Sequence, residues 1–92
     1  MIPIGRAITI YREDRKMTKG QLARRMNRPR TYVTKIELGH HNPGLEAIFL
    51  FAEALDTEPH RIVRYAHRLM ESEKVNASLE HIENEASALH HS

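Results

Sequence analysis

Residues 19–38 read KGQLARRMNRPRTYVTKIEL, and this stretch decides the fold. It holds two short helical patterns separated by a turn of a few residues. Ala23 is small enough to let the two helices pack at a steep angle, and Asn27 tolerates the positive φ that such a turn needs. Val33 and Ile36 give the second helix its buried side. The outer face of that helix is then polar and partly basic, and it consists of Arg30, Thr31, Thr34 and Lys35.

Helical spacing of apolar residues continues on both sides of this stretch, so the sequence predicts an all-α fold of five helices. Thr18 and Gln21 have the spacing of a capping box, which predicts that Thr18 caps the second helix. Pro29 suits the first turn of the third helix, and Gly39 is typical of its end. The other stripes are Ile4, Ala7, Ile8 and Tyr11 in the first helix, Leu45, Ile48, Phe51, Ala52 and Leu55 in the fourth, and Ile62, Tyr65, Ala66 and Leu69 in the fifth. Phe49 and Leu50 lie beside the fourth stripe and belong either to the core or to a partner surface.

The composition excludes several classes of protein. The chain has 92 residues, enough for one small domain with at most a tail. It has no cysteine, so we expect no disulfide framework and no thiolate zinc site. Its seven histidines show no metal-ligand spacing, so we expect no metal and no cofactor. There is no signal-peptide pattern and no apolar run near the ~18 residues of a membrane span, which predicts a cytoplasmic protein.

Charge is distributed unevenly along the chain. Residues 1–38 carry ten Lys and Arg against three acids, a net charge of +7. Residues 39–70 stand at −1 and residues 71–92 at −4. A basic first third favours a polyanionic partner, and a solvated basic face is the alternative. The sequence leaves two roles open for three further arginines, which are either solvent-exposed charges or phosphate contacts. These are Arg24, Arg25 and Arg28.

The last residues carry an apolar seam of their own. Because the seam repeats every three or four residues over two heptads, it predicts a helix. We expect one helical domain over residues 1–71 and an acidic helical tail over residues 72–92 that forms a dimer interface. The alternatives are a helix docked on its own domain and a frayed tail. Ser72, Asn76 and Ser78 are weak helix formers that could mark a break after the fifth helix, whereas the absence of Gly and Pro between His60 and Ser92 would let the helix continue into the tail. The seam consists of Val75, Leu79, Ile82, Ala86 and Leu89.

Taken together, the segments of residues 4–65 resemble the Cro/phage-repressor helix-turn-helix family, also called the xenobiotic-response-element type. The chain departs from the family pattern at Asn27 (usually Gly), at Pro29 (usually Ser or Thr) and at His40-His41 (commonly Lys and Arg). The segments that carry the resemblance are Ile4-Gly5, Ile8, Tyr11-Arg12, Met17-Thr18, Gln21-Leu22-Ala23, Arg30 through Gly39, Asn42-Pro43 and Phe51 through Leu55.

The resemblance implies a repressor-like domain that binds double-stranded DNA, and it implies roles for individual residues. Arg30, Thr31 and Lys35 would face base edges, with Thr34 nearby. Arg12 and Glu37 would form a structural ion pair between the first helix and the end of the third. The implied phosphate contacts are Thr18, Lys19, Tyr32, His40, His41 and Asn42.

The resemblance favours a homodimeric transcription regulator that acts on a palindromic operator. The alternative is a protein-interaction module, such as an antitoxin whose tail wraps a protein partner, with DNA binding secondary. An enzyme is not expected, since the sequence offers no nucleophile–base set, metal spacing or cofactor motif.

Overall fold

The backbone follows the predicted series of five helices, and the expected all-α fold is confirmed. The structure is a computed structural model, which describes the backbone of residues 2–90 and the side chains of residues 2–79. No strand occurs within the described backbone. The helices are α1 (Ile4–Asp14), α2 (Lys19–Arg25), α3 (Arg30–Glu37), α4 (Leu45–Ala54) and α5 (Pro59–His90).

Helices α1 to α4 end in the same way, with one residue in the left-handed region. These residues are Lys16 (φ 54°), Asn27 (φ 55°), Gly39 (φ 78°) and Asp56 (φ 53°). After each of them the next N–H donates to the carbonyl five residues back, as from Arg28 to Ala23 at 2.9 Å. This is the Schellman motif, which satisfies carbonyls at the helix end and turns the chain sharply. Short helices can therefore follow one another at steep angles.

The core lies between the inner faces of all five helices. Its largest fully buried side chains are Phe51, Ile8, Leu22, Ile36, Leu55, Ile62 and Val33. The predicted stripe of α4 is only partly correct, because Leu45 is 71% exposed and Ile48 is half-buried. Phe49 (56% exposed) and Leu50 (39%) are surface residues and not additional core. The exposed apolar side of α4 therefore faces away from the domain.

Gly5 marks the closest approach of two helix backbones. A Cβ atom at this position would lie 2.2 Å from the carbonyl oxygen of Ile36 and 3.0 Å from that of Glu37. Only glycine lets α1 pass this close to the end of α3. The contact fixes the end of α3 relative to the rest of the domain.

Helix α5 continues without interruption through residues 71 and 72, so the break that weak helix formers could mark after the fifth helix does not occur. Ile62 and Ala66 are buried and Leu69 packs against the core. One turn further on, Glu73 pairs with Arg6 of α1. The contact of Glu73 with Arg6 thus lies past the predicted boundary at residue 71. The helix continues there because no Gly or Pro follows Pro59 and serine lowers helix propensity by less than about 1 kcal/mol.

Beyond Glu73, the seam predicted for the tail lies on a different side of α5 from the core-facing positions. Val75 and Leu79 are 57% and 52% exposed. An α-helix turns by about 100° per residue, so around the axis of α5 Val75 and Leu79 lie more than a quarter turn away from Ile62 and Ala66. Ile82, Ala86 and Leu89 lie outside the residues whose side chains the structure describes. None of the described helices has an apolar stretch that would reach across a bilayer.

Candidate nucleic-acid interface

The start of α2 is held by a complete capping box. The Thr18 hydroxyl accepts from the Gln21 N–H at 3.0 Å, and the Gln21 side-chain oxygen accepts from the Thr18 N–H at 2.8 Å. This reciprocal pair satisfies two N–H groups that a helix start leaves open. Thr18 is exposed and Lys19 half-buried, so both predicted phosphate contacts lie at the surface.

The turn between α2 and α3 depends on Asn27. Its N–H donates to the Arg24 carbonyl at 3.2 Å, and the Arg28 N–H donates to that of Ala23 at 2.9 Å. Pro29 then stands at the N-cap of α3 with an extended backbone, one position before the first helical turn that the sequence predicted for it. At the N-cap, as in the first turn, proline has no backbone N–H that would need a hydrogen-bond acceptor.

The four residues predicted to meet base edges share one side of α3. At about 100° per residue, the positions of Arg30, Thr31, Thr34 and Lys35 fall within an arc of about 140°. Arg30, Thr31 and Lys35 are exposed and Thr34 is half-buried. Val33 and Ile36 are fully buried on the other side and anchor the helix. The exposed side thus combines two cations with two hydroxyls.

The loop after α3 comes close to this face. Thr31, Tyr32, Lys35 and His41 line a shallow cavity of about 210 Å³. His40 and Asn42 are exposed in the same loop and do not line the cavity. The Tyr32 ring stacks on Phe51 with centroids 6.0 Å apart, which anchors it on the core. The Arg28 guanidinium lies 5.8 Å from the Tyr32 ring centroid, a contact that the sequence pattern did not predict.

Arg12 and Glu37 form a buried bidentate ion pair. Arg12 Nε donates to Glu37 Oε2 at 2.7 Å and Nη2 donates to Oε1 at 3.0 Å. The third nitrogen, Nη1, donates to the Met17 carbonyl at 2.8 Å. The hydrogen bond to Glu37 raises the pKa of Arg12 above its ordinary value, against the opposing effect of burial. One guanidinium therefore ties α1, the loop before α2 and the end of α3 together.

Burial of Glu37 also shapes the charge of the surface. Residues 15–44 contain eight Lys and Arg and a single acid, Glu37. Because Glu37 is only 9% exposed and already paired, the segment itself contributes no exposed carboxylate, and the nearest one outside it in sequence is Asp14, 3.8 Å from Arg15. Arg15 and Lys16, in the loop before α2, belong to this basic segment and had no predicted role. In the sequence, only their positive charge indicated that they could belong to a basic surface.

Comparison with known proteins agrees with this geometry. The family model described as Helix-turn-helix matches residues 8–62. The chain is 37% identical over 60 residues to the immunity repressor protein of Bacillus phage phi105. That match covers 65% of this chain and 42% of the repressor, so the chain corresponds to less than half of that relative.

Two solved structures share the fold. The clp gene regulator ClgR from Corynebacterium glutamicum superposes with a TM-score of 0.83 at 20% identity, over 88% of this chain and 86% of that one. The restriction-modification controller protein C.AhdI from Aeromonas hydrophila superposes with a TM-score of 0.63 at 30% identity, over 66% of this chain and 92% of that one. The sequence relative is named as a repressor and the two structural neighbours as a regulator and a controller protein, and none of the three is named as an enzyme. Since the family model matches more than half of its length, the chain belongs to the Cro/phage-repressor helix-turn-helix family.

Proposed function

We propose that this chain is a cytoplasmic, sequence-specific DNA-binding regulator of transcription that acts as a homodimer on a palindromic operator. One observation carries the proposal: on a helix-turn-helix framework, the segment from Arg15 to Gly44 presents eight cations and buries its only acid. Such a surface suits a polyanion, and α3 offers side chains that can read bases.

Within this proposal, α3 lies in the major groove. Arg30 and Lys35 suit guanine, whose O6 and N7 are both acceptors, and Thr31 and Thr34 contact neighbouring bases. The other predicted contacts fix the position of the domain through phosphates without reading sequence. They are Thr18, Lys19, Tyr32, His40, His41 and Asn42.

The proposed dimer forms along α5. The exposed Val75 and Leu79 begin an apolar seam that the sequence continues with Ile82 and Leu89. Three arginines precede the seam at the same spacing of three and four residues, which places them on the same side of α5 as the seam. They are Arg61, Arg64 and Arg68. A partner tail laid along α5 brings its acidic residues toward these arginines. Such exposed ion pairs contribute only ~0–1 kcal/mol each, so they set orientation while the apolar contacts hold the dimer.

Selection of bound sites from random DNA tests the proposal. The wild-type protein is expected to enrich a roughly palindromic site whose half-sites are about one helical turn, ~34 Å, apart. The Arg30→Ala variant is expected to bind that site roughly 1–3 kcal/mol more weakly and to lose preference at one base position in each half-site.

The matched control is Arg6→Ala, which removes an arginine that pairs with Glu73 on α5. It is expected to select the wild-type site. If Arg30→Ala selects the same site as the wild type, α3 does not read bases as proposed. If no sequence is enriched, the protein is not a sequence-specific regulator.

A protein-interaction module, such as an antitoxin, is the second candidate function. It is favoured by the exposed apolar side chains of Leu45, Phe49, Leu50 and Val63, which lie on neighbouring parts of α4 and α5. A second protein that binds this surface while DNA selection fails would favour this candidate. Retention of a partner after Phe49→Glu would exclude this surface as its binding site.

A further inference from the structure

A second basic site lies on α2, separate from the face of α3. A surface cleft of about 540 Å³ lies along the side of α2 that faces away from the core. Leu22 and Ala23 are buried on the opposite side of this helix. Four of the six residues that line the cleft are cations and none is an acid, although the exposed Asp14 lies 3.8 Å from Arg15 at its edge. The cations are Arg15, Lys16, Arg24 and Arg25, with Met17 and Gln21 between them.

Two of the four cations are held in place by the domain. Arg15 Nη1 donates to the Tyr11 carbonyl at 3.2 Å, and its guanidinium carbon lies 5.0 Å from the Tyr11 ring centroid. Arg25 Nη1 donates to the carbonyl of Ala54, at the end of α4, at 3.1 Å. Side chains fixed in this way lose less entropy when they bind an anion.

Lys16 adds a cation at some cost to the backbone. It adopts the left-handed conformation (φ 54°), which is unfavourable for a residue with a Cβ atom and which glycine would adopt freely. A lysine in this position brings a charge to the cleft that a glycine could not supply.

We propose that this cleft binds backbone phosphates of the DNA that flanks the segment read by α3. The inference rests on the proposed function, since it assumes that α3 lies on DNA. Gln21 both lines the cleft and completes the capping box of Thr18, a proposed phosphate contact, so the cleft adjoins the proposed path of the backbone. A duplex carries one negative charge per about 1.7 Å of its axis, so any duplex that continues past α2 presents further phosphates there.

The test compares two duplexes that carry the selected operator. The short one ends at the outermost selected base pair, and the long one extends by about half a helical turn, ~5 base pairs, at each end. The full-length variant Lys16→Gln with Arg24→Gln is expected to bind the short duplex as the wild type does. It is expected to bind the long duplex roughly a hundredfold more weakly, because each of the dimer's two clefts loses one charge-assisted hydrogen bond and each such loss weakens binding about tenfold.

Salt dependence gives a second measurement. Each lost phosphate contact lowers the slope of log affinity against log salt by about 0.9. A dimer that loses one contact in each of its two clefts is therefore expected to show a slope on the long duplex that is smaller by about 1.8. The matched control, Arg6→Gln with Lys74→Gln, removes two cations from α1 and α5 and is expected to keep the wild-type slope. Ethylation of the flanking phosphates is expected to block the wild-type protein and to have no further effect on the cleft variant.

Three results would overturn the inference. Equal losses on both duplexes would mean that the cleft adds only a general electrostatic attraction. No loss on either duplex, together with binding of polyglutamate by the wild type alone, would assign the cleft to an acidic protein. Insensitivity of the wild type to flanking ethylation would show that no phosphate lies there. If selection enriches no operator, the proposed function fails, and the salt slope on a mixed-sequence duplex still tests the cleft.

Discussion

At the scale of single residues, Glu37 is a charged side chain whose loss is expected to lower stability strongly. It is the acid partner of Arg12 in the bidentate pair, and both side chains are largely buried. Glu37→Ala leaves a buried guanidinium whose remaining hydrogen bond is to the Met17 carbonyl, and we expect it to lower the free energy of unfolding by roughly 3–5 kcal/mol. Chemical denaturation measures the change.

The control for this prediction is Glu13→Ala. Glu13 lies 3.8 Å from Arg12 but is 66% exposed, so its loss is expected to change stability by less than about 1 kcal/mol. A Glu37→Ala protein of full stability but altered base preference would show that Glu37 reads DNA and is not a structural residue.

Gly5 carries a second prediction at this scale. Gly5→Ala places a methyl group against the carbonyl oxygens of Ile36 and Glu37, so α1 must move away from α3. We expect the free energy of unfolding to fall by roughly 1–3 kcal/mol. Gly44→Ala is the matched control, because no atom lies within 4 Å of the added methyl and φ is an ordinary −72°. Equal melting temperatures for the two variants would refute the close approach.

At the scale of helices, the four left-handed residues show how a short helix ends. Asn27 and Gly39 are residue types that adopt this conformation readily, so their helix ends were predictable. Lys16 and Asp56 complete the same motif, and the propensity of Lys16 argues against its conformation. At Lys16 the surrounding fold imposes the conformation, since the Met17 N–H must reach the Arg12 carbonyl at 3.1 Å.

Lys16→Gly is therefore expected to stabilise the domain. Relief of the left-handed strain contributes about 1–2 kcal/mol, and the greater freedom of glycine in the unfolded chain offsets about 0.5–1 kcal/mol of it. We expect a net gain of about 0.5–1 kcal/mol, measured by thermal melting. Lys16→Ala removes the same charge and keeps the strain, so it is expected to give no gain. Equal gains would point to repulsion among neighbouring cations and not to the backbone.

At the scale of the whole molecule, the prediction concerns the seam of α5. Val75→Glu with Leu79→Glu places two charges on the proposed dimer interface without touching the buried face of the helix. We expect a folded monomer at micromolar concentration by light scattering, with weaker binding to a palindromic operator. Two isolated half-site contacts lack the fixed spacing that a dimer provides.

Asn76→Glu with Ala77→Glu adds the same charge to the same turn outside the seam, and this control is expected to remain dimeric. If the seam variant also remains dimeric, the interface lies elsewhere. The exposed side chains of Phe49 and Leu50 on α4 are then the next candidates.

Much of the fold and of the proposed site was determined by local sequence. The stripes of α1, α3 and α5, the capping box at Thr18 and the turn at Asn27 follow from helical periodicity and backbone preference. The exposed face of Arg30, Thr31, Thr34 and Lys35 follows from the same periodicity, because its residues stand opposite Val33 and Ile36.

Tertiary structure alone decided the rest, because it depends on residues distant in the chain. Leu45 fits the stripe of α4 but is 71% exposed, so no side chain among residues 2–79 buries it. In the part of α5 after residue 71, Glu73 meets Arg6, 67 positions away. The cleft on α2 forms where the loop after α1 meets α2 and where Arg25 reaches the end of α4. Periodicity reports which side of a helix is apolar, whereas only packing decides what covers that side.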